Sequence, residues 1–299
     1  MTAGWIRTAL LALLALPAAA QDFSKVEIRT TKLGDTTYLM EGAGGNLGLS
    51  IGEDAVFLID DQFAPLSERI TAAIAKLTSK PVRFVLNTHW HVDHTGGNEN
   101  FGKAGAVLIA HENVRKRMSS EQFIEFVQSR QAPFPKAALP VVTFAQSVTF
   151  HLNGDEMRVM HVPRAHTDGD AIVHLVKSDV IHMGDIYWNG LYPFIDTSSG
   201  GTVDGVIAGC DQALAIAGDA TRIIPGHGPG LSNKAELKAY RDMLATVAAR
   251  VKKLVAEGRK VDEIKAAKVS AEYDEKWGKA FIKPDRFAEM LTLDILKGR

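Results

Sequence analysis

One cysteine, Cys210, stands among 299 residues, so no intramolecular disulfide can brace this chain. Stability has to come from a buried core, and a hydrophobic content of 46% supplies one. Cys210 falls in "VDGVIAGCDQALAIA", where Val203, Ile207, Cys210, Leu214 and Ala217 recur at helical spacing. That pattern predicts a buried, inert thiol rather than a nucleophile. An excess of either charge is also missing: 34 basic residues face 35 acidic ones. A nucleic-acid or anionic-membrane surface needs a basic excess or patch, so neither partner is expected. No apolar stretch approaches the roughly 20 residues a membrane helix needs. The apolar run from Ala9 to Leu16 follows Arg7 and leads to Pro17, Ala18 and Ala20, the order of a secretory signal peptide cleaved after Ala20. The expected mature protein is residues 21–299, periplasmic or secreted and free of the membrane.

Low-complexity linkers are absent as well, which argues for one domain. Within it, strand and helix patterns alternate. "AVFLID" (55–60), "VRFVLN" (82–87) and "AVLIA" (106–110) read as buried strands. "SERITAAIAKLTSK" between the first two reads as a helix with Ile70, Ile74 and Leu77 on its inner face, stopped before Pro81. Helical pieces are expected over about 112–130. Strands then resume at "VTFAQSVTFHL", "EMRVMHV", "DAIVHLV" and "DVIHMGD". A helix over 203–217 precedes the strand "TRIIP". From Asn233 a long helix places Leu237, Tyr240, Leu244, Val247, Val251 and Leu254 inward, and the charged stretch from 262 is mostly helical. The expected fold class is α/β, two sheet-forming halves with helices outside.

Histidine is scarce too, ten in all, yet "NTHWHVDHTGG" (87–97) holds three of them and an aspartate within six positions. Residues two apart on extended backbone point the same way, so His89 and His91 are able to share one metal ion. Asp93 and His94, as the chain turns through Gly96 and Gly97, would serve a second. "PRAHTDGDAIV" places His166 in a loop, "IHMGDIYW" places Asp185 at a strand end, and "IIPGHGPG" places His227 in a glycine-rich loop. His166 would complete the first ion's set, His227 would join Asp93 and His94, and Asp185 has two oxygens with which to bridge. Each alone is unremarkable in a turn; together they point to a dinuclear centre. His111, His151, His161, His174 and His182 lie outside the pattern and read as structural.

"HWHVDH", "AHTDGD", the "GD" at 184–185 and "GHG" at 226–228, in that order, resemble the ligand set of the metallo-β-lactamase superfamily over about residues 25–230. The resemblance implies a four-layer αββα sandwich, here with a helical C-terminal part over about 232–299, and two Zn2+ ions per chain. It also implies that Asp60, closing "VFLID", is a supporting residue behind the ligands. Metal-assisted hydrolysis is the implied chemistry: water held between two ions loses its proton near neutral pH, and Asp93 is the expected catalytic carboxylate. An imidazole at His91 suits zinc, since relatives with di-iron redox chemistry carry glutamate there. Members cut β-lactams, lactones, thioesters (glyoxalase II) and phosphodiesters. The β-lactamases usually have cysteine or serine at Asp185, and many have lysine at Trp188; both departures argue against a dedicated β-lactamase.

Substrate contacts are expected from "IYWNGLYPFIDTSSGG", through Tyr187, Trp188 and Tyr192 with Ser198–Gly201. A tyrosine hydroxyl there would suit a developing oxyanion. Phe123, Phe126 and Phe134 belong either to a lid within 112–140 or to the packing of that insertion. Asn98 reads as a turn residue. The reading is an exported, zinc-dependent hydrolase of a small molecule. Its alternatives are a glyoxalase II-like thioesterase, a phosphodiesterase, a di-iron oxidoreductase and a non-catalytic metal-binding module.

Overall fold

The computed structural model describes residues 22 to 298; residues 1–20, expected as the signal peptide, lie outside them. Among the described residues no helix is long and apolar enough to cross a membrane. The first sheet holds β1 (Arg29–Lys32), β2 (Thr37–Glu41), β3 (Leu47–Ile51), β4 (Val56–Ile59), β5 (Val82–Asn87), β6 (Val107–His111) and β9 (Val142–Phe144), in that spatial order. Between β6 and β9 a separate hairpin forms from β7 (Gln122–Ile124) and β8 (Ser129–Gln131). The second sheet runs β10 (Ser147–Leu152), β11 (Asp155–His161), β12 (Ala171–Leu175), β13 (Val180–His182), β14 (Arg222–Ile224) and β15 (Ser232–Asn233). The helices are α1 (Ser67–Ala75), α2 (Val92–Thr95), α3 (Asn98–Lys103), α4 (Glu112–Met118), α5 (Val203–Ile216), α6 (Lys234–Ala256), α7 (Val261–Ala266), α8 (Ala271–Trp277) and α9 (Pro284–Lys297).

Period-two alternation in strands apolar on both faces builds the layers. In β4, Val56 and Leu58 pack with Ile70 and Ile74 of α1, while Phe57 and Ile59 face the second sheet. In β14, Ile224 joins that inter-sheet core, and Ile223 packs outward with α5 and α6. Helix, sheet, sheet, helix is therefore the layer order. Cys210 is buried in the outer core beneath α6, as its spacing predicts.

Several elements differ from expectation. The strands β1, β2 and β3 gave no strong sequence pattern; β1 is exposed along its whole length. Helix α1 stops at Ala75, which leaves Leu77 40% exposed rather than inward. The stretch 119–130 is a hairpin, not helix, in keeping with the β-branched and aromatic run Phe123, Ile124, Phe126 and Val127 after Ser119–Ser120. "VTFAQSVTFHL" is two strands, because the chain leaves the first sheet after Phe144 and enters the second at Ser147. Leu254 of α6 is only half-buried.

Strand direction positions the site. β4, β5, β6 and β9 are mutually parallel, as are β13 and β14. The chain leaves β4 into Asp60, β5 into Thr88–His94, β13 into Asp185 and β14 into His227. Carboxyl ends of parallel strands thus deliver all of these side chains to one edge.

Candidate metal centre

The structure gathers the seven expected ligands into two adjacent groups, each fit to hold a metal ion. His89, His91, His166 and Asp185 form the first, with one ligand atom from each lying within 4.8 Å of the others; Asp93, His94 and His227 form the second on the same measure. Asp185 lies between them: Oδ1 is 3.0 Å from His94 Nε2, and Oδ2 is 3.2 Å from His227 Nε2 and 3.5 Å from His166 Nε2. All seven are buried; only His91 and His227, at 5% and 8% exposed, reach towards solvent among the imidazoles. Asp93 and His94 sit not on an open turn but on α2, with His91 at the helix start.

Hydrogen bonds on the outer ring nitrogens assign the tautomers of four imidazoles, His89, His91, His94 and His166. Asp60 Oδ2 accepts from His94 Nδ1 at 2.7 Å and from the Thr88 hydroxyl at 2.8 Å. With its proton given to Asp60, the Thr88 oxygen accepts from His89 Nδ1 at 3.1 Å. One carboxylate therefore turns the Nε2 lone pairs of both His89 and His94 inward. His166 Nδ1 donates to the Phe194 carbonyl at 2.8 Å, and His91 Nε2 donates to Asp196 Oδ2 at 3.1 Å. Their remaining nitrogens, His166 Nε2 and His91 Nδ1, face each other at 2.8 Å, two lone pairs without a shared proton. His89 Nε2, both Asp93 oxygens and Asp185 Oδ1 are buried without a hydrogen-bond partner among the described residues. Buried acceptors converging on each other and lacking donors are what a cation requires. An imidazole-and-carboxylate donor set fits zinc.

Ionisation follows the same division. Burial, aided by His94, holds His89 well below the usual imidazole value, and burial brings His166 down to about 4. Burial would raise Asp185, but the imidazoles of His227, His94, His89 and His166 outweigh it and keep the carboxyl well below its ordinary range. In the second group burial works to lower the imidazoles, and the facing carboxylates of Asp185 and Asp93 overcome it. They lift His227 to about 9 and His94 well above 6.5. A cation entering there displaces protons, so its binding tightens as pH rises.

Close backbone approach completes the enclosure. An ideal Cβ on Gly45 falls 2.1 Å from His94 Cε1, and one on Gly226 falls 2.2 Å from Asp185 Oδ1. Gln62 Nε2 donates to the Gly45 carbonyl at 2.7 Å, so that loop has little room to retreat. Gly45→Ala is expected to destabilise the fold by about 2 kcal/mol and to displace His94; thermal melting and metal titration of the variant read both effects.

Of the expected substrate contacts, only Trp188 lies against the centre. Its ring is 4.3 Å from that of His227, and its Nε1 has no hydrogen-bond partner among the described residues. The Tyr187 hydroxyl meets Asn189 and Ser232, and the Tyr192 hydroxyl donates to Asp274 at 2.7 Å while its ring stacks on Phe287. Both tyrosines are drawn into the outer helical core, with their hydroxyls turned to Ser232 and Asp274 rather than to the donor groups. Phe134 packs with the Trp90 cluster, Phe123 lies under Arg130, and Phe126 covers Phe194. Asn98 is more than a turn residue: it forms a reciprocal amide pair with Asn87, whose Nδ2 also bonds the His94 carbonyl. Sequence reading missed Thr88, Phe194 and Asp196. Only Asp196 carried a signal, the "DTSS" turn in which Asp196 Oδ1 accepts from the Ser198 and Ser199 amides.

Three of the histidines outside the pattern, His111, His161 and His182, hydrogen-bond to protein groups. His182 Nε2 donates to the Asn46 carbonyl and its Nδ1 accepts from the Gly184 amide, a pair only the neutral ring makes. Burial accordingly holds it below the ordinary imidazole value near 6.5. The unfolded chain binds a proton near pH 6.5 and folded His182 does not, so stability is present above about 6.5 and declines as pH falls below it. His182→Gln should flatten that acid limb in denaturant midpoints measured against pH.

A family profile described as the metallo-beta-lactamase superfamily matches residues 44–250. Among solved structures, a metallo-beta-lactamase from Pontibacter korlensis aligns with a TM-score of 0.60 and 19% identity, covering 73% of this chain and 99% of its own. The metallo-beta-lactamase IND-7 aligns with a TM-score of 0.60 and 16% identity, over 75% of this chain and all of its own. A double mutant of the sec-alkyl sulfatase PisA1 aligns with a TM-score of 0.66 and 18% identity, over 89% of this chain and 49% of its own. At these identities the likeness is one of fold.

Proposed function

This chain belongs to the metallo-beta-lactamase superfamily and is a metal-dependent hydrolase, and we propose that it is an exported enzyme using two zinc ions against a carbonyl or related centre of a small β-lactam-, lactone- or ester-type substrate. The observation that carries this reading is the pair of adjacent donor groups with Asp185 between them. Two bound zinc ions supply Lewis acidity and make water a nucleophile near neutral pH. The chain's own residues do the rest. Outer hydrogen bonds to Asp60, Thr88, Phe194 and Asp196 fix the imidazole rings. Asp93, whose Oδ2 is 3.2 Å from His227 Nε2, is assigned to accept and orient the attacking water's proton. Cys210 takes no part: burial raises its thiol far above neutrality.

A closed structural zinc site has four protein ligands and no open position. Two adjacent groups sharing the Asp185 carboxylate are not that arrangement, and their edge at His91 and His227 reaches towards solvent, which favours catalysis instead. His91 favours zinc over di-iron redox chemistry. Asp185 and Trp188 favour the wider hydrolase group over a dedicated β-lactamase. One structural relative is named a sec-alkyl sulfatase and overlays more of this chain than the lactamases do, so a sulfate ester joins the thioester and phosphodiester readings. The test is elemental analysis of the purified mature protein, followed by turnover assays with β-lactams, lactones, carboxylic esters, thioesters, phosphodiesters and secondary alkyl sulfates. Two zinc ions per chain and hydrolysis of one class are expected; iron with redox activity, or zinc without turnover, overturns the reading. Amino-terminal sequencing of the exported protein is expected to begin at Gln21.

A further inference from the structure

One short stretch, Phe194–Ser199, holds two of the three imidazoles of the first group from behind. The Phe194 carbonyl fixes His166, and the Asp196 carboxylate fixes His91. The Phe194 ring also stacks on His91, with centroids 5.8 Å apart, and meets His166 edge-on at 5.6 Å. Apart from one 3-10 turn at Thr197–Ser199 the stretch is irregular, so its position depends on what packs over it.

What packs over it is the β7–β8 hairpin, and α9 pins the hairpin in place. The Glu125 amide donates to Ser198 Oγ at 3.2 Å, and that hydroxyl in turn donates to Asp196 Oδ1. The Phe126 ring lies 5.4 Å from that of Phe194, and the Arg286 guanidinium lies over the Phe126 ring at 4.1 Å from its centroid. Arg286 Nη2 also donates to the Phe126 carbonyl at 2.8 Å. Lys297 Nζ meets Glu125 Oε2 at 2.6 Å and reaches Thr197 Oγ1 at 3.4 Å, while Met290 sulfur accepts from the Ile195 amide at 3.2 Å. Residues 286, 290 and 297 share one face of the helix. None of them touches a residue of either donor group, and the second group is braced separately, His94 by Asp60.

We infer that α9 is a positioning element for the first metal group: Arg286 and Lys297, through Phe126 and Glu125, hold Phe194–Ser199 where it orients His166 and His91. This rests on the reading that those imidazoles are metal ligands. The coupling is one-sided, because the contacts lead to one group and not the other.

The experiment is a zinc titration of the full mature chain against a competing chelator, resolving two dissociation constants. A His91→Ala variant identifies which constant belongs to the first group. In Arg286→Ala and in Phe126→Ala that constant is expected to rise about tenfold while the other stays within about twofold. Phe126→Tyr, which keeps the ring, is expected to restore the wild-type value. Should Arg286→Ala fail to fold, Lys297→Met at an exposed position gives the same comparison. Equal shifts in both constants, or no shift in either, overturn the inference while leaving the proposed function intact. A wild-type chain that binds fewer than two ions overturns the proposed function itself.

Discussion

Asp93→Ala is expected to lower kcat/KM by about 10²–10⁴-fold against whichever substrate class is hydrolysed, the range for loss of a positioned proton acceptor. That corresponds to about 3–5 kcal/mol of transition-state stabilisation. Folding should be little affected, because the two imidazoles facing the Asp93 carboxylate, His227 at 3.2 Å and His94 at 3.7 Å, both keep Asp185 as a carboxylate partner. The Asp93 backbone carbonyl still accepts from the Gly45 amide at 3.1 Å, a bond alanine preserves. Loss of rate with an unchanged melting temperature therefore distinguishes a chemical role from a structural one. Zinc content of the variant must be measured alongside, since the carboxylate also belongs to the second donor group. A variant that retains activity within about tenfold of wild type removes Asp93 from the mechanism.

Asp60→Asn should produce the largest effect of any residue outside the two donor groups. The Asp60 carboxylate is fully buried and accepts three bonds: from the Thr88 amide at 2.7 Å, the Thr88 hydroxyl at 2.8 Å and His94 Nδ1 at 2.7 Å. An asparagine amide in that volume presents a donor where only donors arrive, so at least one bond is replaced by opposition. His94 and, through Thr88, His89 lose the contacts that fix their tautomers. Since one of these residues sits in each donor group, both zinc dissociation constants are expected to rise by about 10–100-fold. The contrast with α9, where only the first group should respond, makes the pair of experiments mutually informative. Asp60 holds φ +60, a left-handed conformation that aspartate tolerates better than most residues. Asparagine tolerates it equally, so backbone strain is not a competing explanation.

Much of the site was legible in the chain because metal binding needs particular atoms, and few side chains carry them. His89, His91, Asp93 and His94 announced themselves by density alone, and His166, Asp185 and His227 by their places at strand ends or in glycine-bearing loops. The apolar run "VRFVLN" located β5 to the residue, although Arg83 within it is exposed and only Val85–Asn87 are fully buried. The exposed β1 carries no such record, and neither does the hairpin at 122–131, whose apolar residues pack against other loops. Aromatic residues misled for a related reason. Tyr187 and Tyr192 lie close in sequence to Asp185, yet a side chain's direction depends on neighbours as distant as Ser232 and Asp274.

By itself the sequence determined the donor residues, their place in two groups and the layered α/β class, because these follow from side-chain chemistry and from periodicity within a few residues. Only the tertiary structure decided which nitrogen of each ring faces inward, that Asp60 serves two histidines through Thr88, and that the C-terminal helix leans on the loop behind His91. Those are matters of contact between separate segments, some more than 100 residues apart, as in the bond from Arg286 to the Phe126 carbonyl, 160 residues away. No local pattern encodes such a contact; packing of the whole chain creates it.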